Sequence, residues 1–327
     1  MPLLVLNKRD VEGLLTMEQC IPLMEAALAS LARGEVQLPL RPVIRIPDTN
    51  NYFGVMPAYS ASLRAIGAKL ISVFPGNHGT TLDSHQGAVA LFDGKTGSIV
   101  SVMDAASITA IRTAAVSGVA TKLLARADAS TVAILGAGVQ GRTHIDAMLA
   151  ARPFKRVIVW SRTPKHAHAL VESAAKHHTA AFEVAGDAAA AVGNADVVCT
   201  VTASREPVLE GAWLRDGAHI NAVGASLPSA RELDTATIRR SRVFVDRRES
   251  ALNEAGDLLI PLKEGAFKAE HIVAEIGELL TGAAKGRRDE CEITLFKSLG
   301  IAVEDLACAH WLYGRAKAED VGTTVEF

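Results

Sequence analysis

The segment 131-TVAILGAGVQGRTHIDAMLAA-151 joins an apolar run to a run with helical spacing through three glycines. Gly136, Gly138 and Gly141 have the GxGxxG spacing of the turn that binds the pyrophosphate of dinucleotides. The first glycine permits a tight turn, the second lets the backbone approach the phosphates, and the third lets helix and strand pack closely. The amino end of the helix adds amide N–H groups and a positive dipole end. The segment predicts the first βαβ unit of a dinucleotide-binding domain; the alternative is a glycine-rich turn without a ligand.

The residues after this segment continue the same alternation. Apolar strand-like runs recur between helical patterns at residues 157–160, 182–185, 195–202, 219–224 and 242–246. Continuous apolar strands that alternate with helices are typical of a parallel sheet covered on both faces. We therefore predict an α/β fold with a Rossmann dinucleotide-binding domain over residues 116–299.

The residues before this domain have a different pattern. Short β-like runs at residues 42–46, 68–74, 87–92 and 98–103 are separated by Pro, Gly, Asn and Asp, which predicts a mostly antiparallel sheet. A helix of small residues is expected at about 105–126. The C-terminus, about 300–327, is predicted to be helical and to pack on this first domain. The Rossmann domain is thus inserted in an α+β substrate and dimerisation domain formed by residues 1–115 and 300–327.

The composition excludes several classes of function. The formal net charge is −2 over 327 residues, so no attraction to nucleic acid or to an anionic membrane is expected. No apolar stretch approaches the roughly 18 residues of a membrane span, and the N-terminus lacks the pattern of a signal peptide. The four cysteines are far apart and form no CxxC pair, which favours a reduced, cytoplasmic protein. No metal is expected, because four histidines in a polar helical stretch have no cysteine or carboxylate set to complete a site: His166, His168, His177 and His178.

The end of the second strand of the βαβ unit predicts the cofactor. NAD enzymes usually carry an acidic residue there, which binds the ribose 2′-hydroxyl. This chain has Ser161, Arg162 and Thr163 in "VWSRTP" instead. A hydroxyl and a guanidinium suit a 2′-phosphate, which a carboxylate would repel. We predict NADPH, with NADH as the weaker cofactor; the alternative is that Arg162 is an ordinary solvated side chain.

Two cations stand in apolar surroundings outside this domain. Arg112 is the only charged residue between Asp104 and Lys122, and Lys69 lies inside the strand pattern "AIGAKLISVF". Buried charges are costly unless they meet an opposite charge, so these residues indicate an anionic substrate. Arg41 in "LPLRPVI" is a weaker third candidate. The alternatives are structural ion pairs or side chains that extend to solvent.

The chain resembles the ornithine cyclodeaminase/mu-crystallin family over nearly its whole length. The matching stretches occur in order, and they are "GVMPAY", "GAKLISVFPGN", "LFDGKTG", "TAIRTAA", "ILGAGVQG", "INAVGAS.P..REL" and "EITLFKSLG". The resemblance implies a Rossmann domain inserted in a substrate domain, and a homodimer formed through that substrate domain. It also implies a small imino or amino acid as substrate, whereas the absence of a nucleic-acid or membrane partner is expected from the charge balance above.

The resemblance also implies roles for particular residues. Lys69, Arg112 and Arg41 match positions that hold the α-carboxylate of the substrate. Positions lining the cofactor, in addition to the glycine turn and Arg112, are matched by Ser84, Thr113, Val139, Gln140, Thr202 and Val223. His85, in the predicted turn "DSHQG", is a further residue placed to face the cofactor or the substrate.

Two departures from the cyclodeaminases define the expected reaction. Those enzymes carry a catalytic Asp where this chain has Ser226, and a Glu that aligns near Gly54. Oxidation of an amino acid requires a base that deprotonates its ammonium, and neither carboxylate is present. A cyclic ketimine arrives partly protonated and accepts hydride without such a base. The sequence therefore resembles the ketimine reductase branch, with Lys69 and Ser226 as catalytic residues: Lys69 relays a proton, and Ser226 bonds the nicotinamide amide or the imine N–H.

The expected function is an NADPH-dependent reductase of cyclic ketimine carboxylates. It would convert Δ1-pyrroline-2-carboxylate or Δ1-piperideine-2-carboxylate to L-proline or L-pipecolate. Two alternatives stay open at this point. One is a cyclodeaminase or an alanine dehydrogenase-like amino-acid oxidoreductase. The other is a non-catalytic protein that binds NADPH and a small ligand, as mu-crystallin does.

Overall fold

The computed structural model describes residues 2–77 and 80–327. Over those residues the chain forms sixteen strands and eleven α helices. The strands are β1 (Pro2–Leu6), β2 (Val36–Gln37), β3 (Val43–Arg45), β4 (Tyr52–Ser60), β5 (Ala65–Val73), β6 (His85–Asp93), β7 (Ile99–Asp104), β8 (Thr131–Leu135), β9 (Arg156–Trp160), β10 (Ala181–Val184), β11 (Val197–Thr200), β12 (His219–Ala222), β13 (Ser241–Val245), β14 (Ile272–Glu275), β15 (Ile293–Lys297) and β16 (Thr323–Glu326). The helices are α1 (Lys8–Leu14), α2 (Met17–Ala32), α3 (Ala105–Leu124), α4 (Val139–Ala151), α5 (Pro164–Ala174), α6 (Ala188–Gly193), α7 (Thr235–Arg240), α8 (Arg248–Glu254), α9 (Gly256–Lys263), α10 (Ile276–Leu280) and α11 (Ala302–Glu319).

The chain divides into two compact units. The first consists of Met1–Arg112 together with Ile301–Phe327, and the second is Thr113–Gly300. The domain limits predicted from the sequence, 1–115 with 300–327 and 116–299, stay a prediction about the folding domains.

The first unit is built on an eight-stranded sheet. Its order is β16-β1-β7-β6-β5-β4-β2, with β3 paired to β4, and every pair is antiparallel except β1 with β7. The mostly antiparallel sheet expected from the sequence is thus confirmed. Helix α11 packs on strands β4, β5 and β6 and on helix α2, as predicted for the C-terminus. Residues alternate along β5, so that Lys69 faces the buried side while Ile66 and Leu70 are exposed on the other side.

This unit differs from the sequence prediction in several details. Strand β4 was not predicted, because Pro57 interrupts its pattern; Pro57 lies between the residues paired with β2 and those paired with β3. The C-terminal helix ends at Glu319, and Asp320 in a left-handed conformation turns the chain into β16, which pairs with β1. His85 is the first residue of β6, paired with Val73, and does not lie in a turn.

The second unit is a parallel sheet of eight strands in the order β10-β9-β8-β11-β12-β15-β13-β14. The predicted Rossmann fold is confirmed, and the strand order reverses between β8 and β11. Dinucleotides bind at the carboxyl ends of the strands beside such a reversal. Strands β14 and β15 were not predicted from the sequence. Every residue of β11, β12 and β15 is buried, as expected for a sheet covered on both faces.

Within residues 2–77 and 80–327 no single helix is long and apolar enough to cross a membrane. Helices α1 and α2 reach the required length and composition only when taken together, and they meet at 86°.

Candidate active site

The glycine turn after β8 has the geometry that a dinucleotide phosphate requires. Gly136 has a φ of +122°, and a Cβ atom there would lie 2.7 Å from the carbonyl oxygen of Val201. A Cβ atom on Gly141 would lie 2.2 Å from the carbonyl oxygen of Gly136, so α4 can pack this closely only without a side chain. By contrast, a Cβ atom on Gly138 would meet no protein atom within 4 Å. The protein itself does not require glycine at position 138, whereas a phosphate approaching the backbone would.

Helix α4 begins directly after this turn, with Gly138 as its N-cap residue. Its first amide groups and its dipole therefore point to the open side of the turn. Val139 is exposed here, and the side-chain Oε1 of Gln140 is buried without a hydrogen-bond partner in the described part of the chain. A buried amide oxygen without a partner usually marks a place where a ligand or a water binds. The turn, the helix end and this oxygen all fit a bound dinucleotide.

The segment after β9 carries the predicted cofactor-specificity residues. Ser161 is half-buried, and its hydroxyl accepts a hydrogen bond from the backbone N–H of Thr163 at 3.4 Å. Thr163 is the N-cap residue of α5. Arg162 is exposed, and within residues 2–77 and 80–327 no carboxylate forms an ion pair with it. This position carries a guanidinium where an NAD enzyme would carry an acidic side chain.

The carboxyl ends of β11 and β12 are held together by Glu232, a residue that the sequence analysis did not select. The Oε1 atom of Glu232 accepts hydrogen bonds from the backbone N–H and the hydroxyl of Thr202, at 2.6 and 2.7 Å. Its Oε2 atom accepts from the backbone N–H of Gly224 at 2.7 Å and from the hydroxyl of Thr200 at 2.9 Å. The predicted cofactor residues Thr202 and Val223, and the predicted catalytic Ser226, lie on the two segments that Glu232 joins.

A buried ion pair supports the same segments. The Lys297 ammonium lies 2.9 Å from Asp257 Oδ2, and both side chains are 0% exposed. Lys297 Nζ also donates to the carbonyl oxygens of Ala222 and Ala225, at 3.2 and 2.7 Å. Burial and the nearby charge of Asp257 raise the pKa of Glu232, while Thr202 and Lys297 oppose this shift. Glu232 lies in the stretch "REL" and Lys297 in "FKSLG", but neither stretch indicates that the two charged side chains lie close together.

The predicted carboxylate-binding cations lie together in the first unit. Lys69 on β5 is 3% exposed, and its Nζ atom lies 2.9 Å from Asp305 Oδ2 and 3.3 Å from the hydroxyl of Thr109. Arg112 on α3 bonds Asp305 Oδ1 through Nε at 3.1 Å and Glu304 Oε2 through Nη1 at 2.6 Å. Asp305 therefore bridges the two cations. The alternative of structural ion pairs is realised for both residues, and the two carboxylates were missed by the sequence analysis.

These ion pairs leave donors unused. An ammonium has three N–H groups and a guanidinium five. Among the described residues, Lys69 donates to Asp305 and Thr109, and Arg112 donates through Nε and Nη1, with no hydrogen bond found from its Nη2. A further carboxylate could therefore bind to both cations without displacing Glu304 or Asp305.

The charges at this place change the pKa of Lys69. Burial, together with the positive charges of Arg112 and Arg41, lowers the pKa of Lys69 from 10.5 to about 8, although Asp305 opposes the shift. Although burial opposes it, the charges of Asp305 and Glu304 raise the pKa of Arg112. Arg41 is half-buried, and its role in holding a substrate carboxylate stays a prediction. The pKa of Lys69 is thus shifted towards neutral pH, whereas Arg112 stays charged.

The remaining predicted residues are distributed over both units. Ser84 and His85 belong to the first unit, where the Ser84 hydroxyl lies 3.1 Å from His85 Nδ1. Thr113 follows Arg112 in α3 and is buried. The structure therefore brings Lys69 and Arg112 together on Asp305 in one unit, and places the glycine turn, Thr202 and Ser226 at the carboxyl ends of the strands in the other.

The fold and the glycine turn define a nicotinamide-dependent oxidoreductase. A model described as the ornithine cyclodeaminase/mu-crystallin family matches residues 2–320. The chain is 44% identical to the ketimine reductase mu-crystallin of Mus musculus over 297 residues, which are 90% of each chain.

Two solved structures are similar over the full length. One is the Δ1-pyrroline-2-carboxylate reductase of Thermococcus litoralis in complex with NADH and L-proline, with a TM-score of 0.97 and 40% identity, covering 99% of this chain and 100% of that one. The other is an archaeal alanine dehydrogenase dimer with bound NAD, with a TM-score of 0.95 and 30% identity, covering 100% of both chains. The chain belongs to the ornithine cyclodeaminase/mu-crystallin family.

Proposed function

We propose that the protein reduces cyclic ketimine carboxylates, Δ1-pyrroline-2-carboxylate to L-proline and Δ1-piperideine-2-carboxylate to L-pipecolate. The observation that carries this proposal is the buried pair Lys69 and Arg112, whose remaining N–H groups suit a carboxylate. Named relatives support the imine as substrate, since the mouse protein is a ketimine reductase and the Thermococcus enzyme was solved with L-proline.

The substrate carboxylate is held by three cations in this proposal. Arg112 donates through Nη2 and Lys69 through its third N–H, while Arg41 adds positive charge nearby. Asp305 keeps both buried cations charged and fixes their side chains. This clamp limits the substrate to one orientation, which reduces the entropy lost in reaching the transition state.

When bound, the nicotinamide supplies a hydride, which adds to C2 of the ring and forms the new C–H bond. The nitrogen of the C=N bond must carry a proton when this happens, so that the product is an amine. Lys69 is suited to hold or relay that proton because its pKa lies at about 8. The Ser226 hydroxyl accepts a hydrogen bond from the imine N–H, or it bonds the amide of the nicotinamide. A hydroxyl suffices because the imine needs no deprotonation.

NADPH is the preferred cofactor in this proposal, and NADH is the weaker one. Arg162 is exposed beside the end of β9, and it would pair with a ribose 2′-phosphate with help from Ser161 and Thr163. This preference is independent of the imine chemistry.

The chain forms a homodimer through its first unit in this proposal. The outer face of the sheet carries exposed apolar side chains on neighbouring strands: Ile44, Tyr59, Ile66 and Leu70. Exposed apolar patches of this kind are typical of protein–protein interfaces. The archaeal alanine dehydrogenase that is similar in structure is a dimer.

The test is to follow NADPH absorbance with each ketimine, and in parallel to supply NAD⁺ with L-ornithine or L-alanine. We expect NADPH oxidation that depends on the ketimine, with proline or pipecolate as product and no ammonia from ornithine. Binding of NADPH without oxidation by either ketimine would refute the proposal and favour a binding protein. Ammonia release from ornithine would favour a cyclodeaminase.

A further inference from the structure

The sheet order of the second unit locates the two halves of a bound dinucleotide, on the proposed function that this unit binds one. In sheets of this order the phosphates would lie at the turn after β8, and the adenosine ribose beside the end of β9. The nicotinamide half would then extend to the other side of β8, where β11 and β12 lie in the strand order. The segments there are residues 201–204 and 223–227, which Glu232 joins.

The contacts of Glu232 fix these two segments relative to each other. Two of its four donors are backbone N–H groups, those of Thr202 and Gly224, and these cannot reverse their direction as hydroxyls can. The segments are also pressed together, because a Cβ atom on Gly224 would lie 2.1 Å from the carbonyl oxygen of Thr202. A small change in Glu232 would therefore move both segments.

The Lys297–Asp257 pair fixes both Glu232 and the segment of residues 223–227. Asp257 Oδ1 accepts from the backbone N–H groups of Glu232 and Leu233, at 2.7 and 3.0 Å. Lys297 holds the carbonyl oxygens of Ala222 and Ala225. All three charged side chains are fully buried, so their removal from water must be offset by these contacts.

We propose that Glu232, supported by Lys297 and Asp257, is a positioning residue for the nicotinamide half of the cofactor. It does not touch the reacting atoms. It sets the distance and direction of the strand ends that face the nicotinamide ring, including the segment that carries Ser226. The adenosine half lies on the other side of the glycine turn and does not depend on it.

The test is the variant Glu232→Gln. Glutamine has nearly the same size as glutamate, but an NH2 group with two N–H donors replaces one of the accepting oxygens. Its NH2 group must face either the N–H of Thr202 or that of Gly224, and this breaks one backbone contact. Leaving a buried donor unpaired has a free-energy cost that corresponds to a roughly 5- to 100-fold change in binding. We expect the Kd for NADPH to rise by about that factor, while the Kd for 2′-phospho-ADP-ribose, which lacks nicotinamide, stays within about twofold.

The matched control is Asp196→Asn, which also alters a buried carboxylate of this unit. Asp196 accepts from the backbone N–H groups of Ser130 and Thr131, at the amino end of β8, and pairs with Arg126. This variant should lower the stability of the protein and leave the ratio of the Kd values for NADPH and 2′-phospho-ADP-ribose unchanged. If Glu232→Gln does not fold, Thr200→Val removes a single donor to Glu232 and should change the same ratio in the same direction by a smaller factor.

The proposal is overturned if Glu232→Gln weakens both ligands equally or neither, or if the unmodified protein binds both ligands alike. These measurements need no imine. Normal discrimination between the ligands without ketimine turnover would therefore refute the proposed function and leave this inference standing.

Discussion

Asp305→Asn removes a carboxylate that contacts both predicted substrate cations. Asp305 lies 2.9 Å from Lys69 Nζ and 3.1 Å from Arg112 Nε, and all three side chains are buried. The asparagine keeps the size of the side chain and removes its charge. We expect the pKa of Lys69 to fall, because Asp305 is the charge that holds this pKa up against burial, Arg112 and Arg41.

The size of this fall follows from the distances. An adjacent opposite charge usually shifts a pKa by about 1–3 units. Lys69, with a pKa of about 8, would then titrate between about 5 and about 7 in the variant. At pH 8 the protonated fraction would drop from about one half to about one tenth or less, so kcat/KM for the ketimine should fall at least about fivefold there. The upper limit of the pH profile should move down by the same 1–3 units, approximately.

The assay is NADPH oxidation by Δ1-pyrroline-2-carboxylate across the pH profile. Unfolding by urea is measured alongside, because loss of one partner of a buried ion pair costs about 3–5 kcal/mol. The matched control is Glu304→Gln, since Glu304 is buried next to Asp305 and pairs with Arg112. We expect this control to lose stability and some affinity while the upper pH limit stays in place.

The reasoning is refuted if Asp305→Asn is folded and keeps the upper pH limit of the unmodified protein. It is equally refuted if Glu304→Gln moves that limit as far as Asp305→Asn does. Either result would mean that the charge on Lys69 does not control binding of the substrate carboxylate.

Three other predictions concern the carboxylate clamp, the cofactor and the dimer. Lys69 loses its proton as the pH rises through about 8, so inhibition by pyrrole-2-carboxylate should weaken about tenfold per pH unit above that value. In Lys69→Arg this pH dependence should vanish, and an unchanged dependence would contradict binding of the carboxylate by Lys69. Arg162→Ala should raise the KM for NADPH by about 10- to 100-fold and leave that for NADH nearly unchanged; equal effects on both would show that Arg162 does not contact a 2′-phosphate. Leu70→Glu puts a charge on the exposed apolar sheet face and should give monomers in sedimentation, whereas an unchanged mass would exclude this face as the interface.

The sequence allowed prediction of those features that depend on neighbouring residues. The turn Gly136–Gly141, its preceding strand and its following helix lie within one short segment, and their spacing alone determines the geometry. The burial of Lys69 and Arg112 was also accessible, because each charge stands alone in an apolar run. The resemblance to the family added the order of the domains.

Features that depend on distant residues could not be predicted. Asp305 is 236 residues from Lys69 and 193 from Arg112, and it lies in a helix pattern that looks ordinary. Lys297 meets Asp257 and the carbonyl groups of Ala222 and Ala225, at and after the end of β12, because β15 lies between β12 and β13. Strand β4 was not predicted because it contains Pro57. Proline is acceptable there because Pro57 pairs with neither β2 nor β3, and this pairing cannot be read from the local sequence.

The most direct test of the proposed function is the transfer of deuterium from NADPH that carries deuterium at both C4 positions of the nicotinamide. The protein is incubated with Δ1-pyrroline-2-carboxylate and the labelled cofactor, and the proline formed is analysed by mass spectrometry and for chirality. We predict L-proline that carries one deuterium at C2, together with an equal amount of oxidised cofactor. Proline without deuterium, or no proline while the protein binds the cofactor normally, would contradict hydride transfer to the imine carbon.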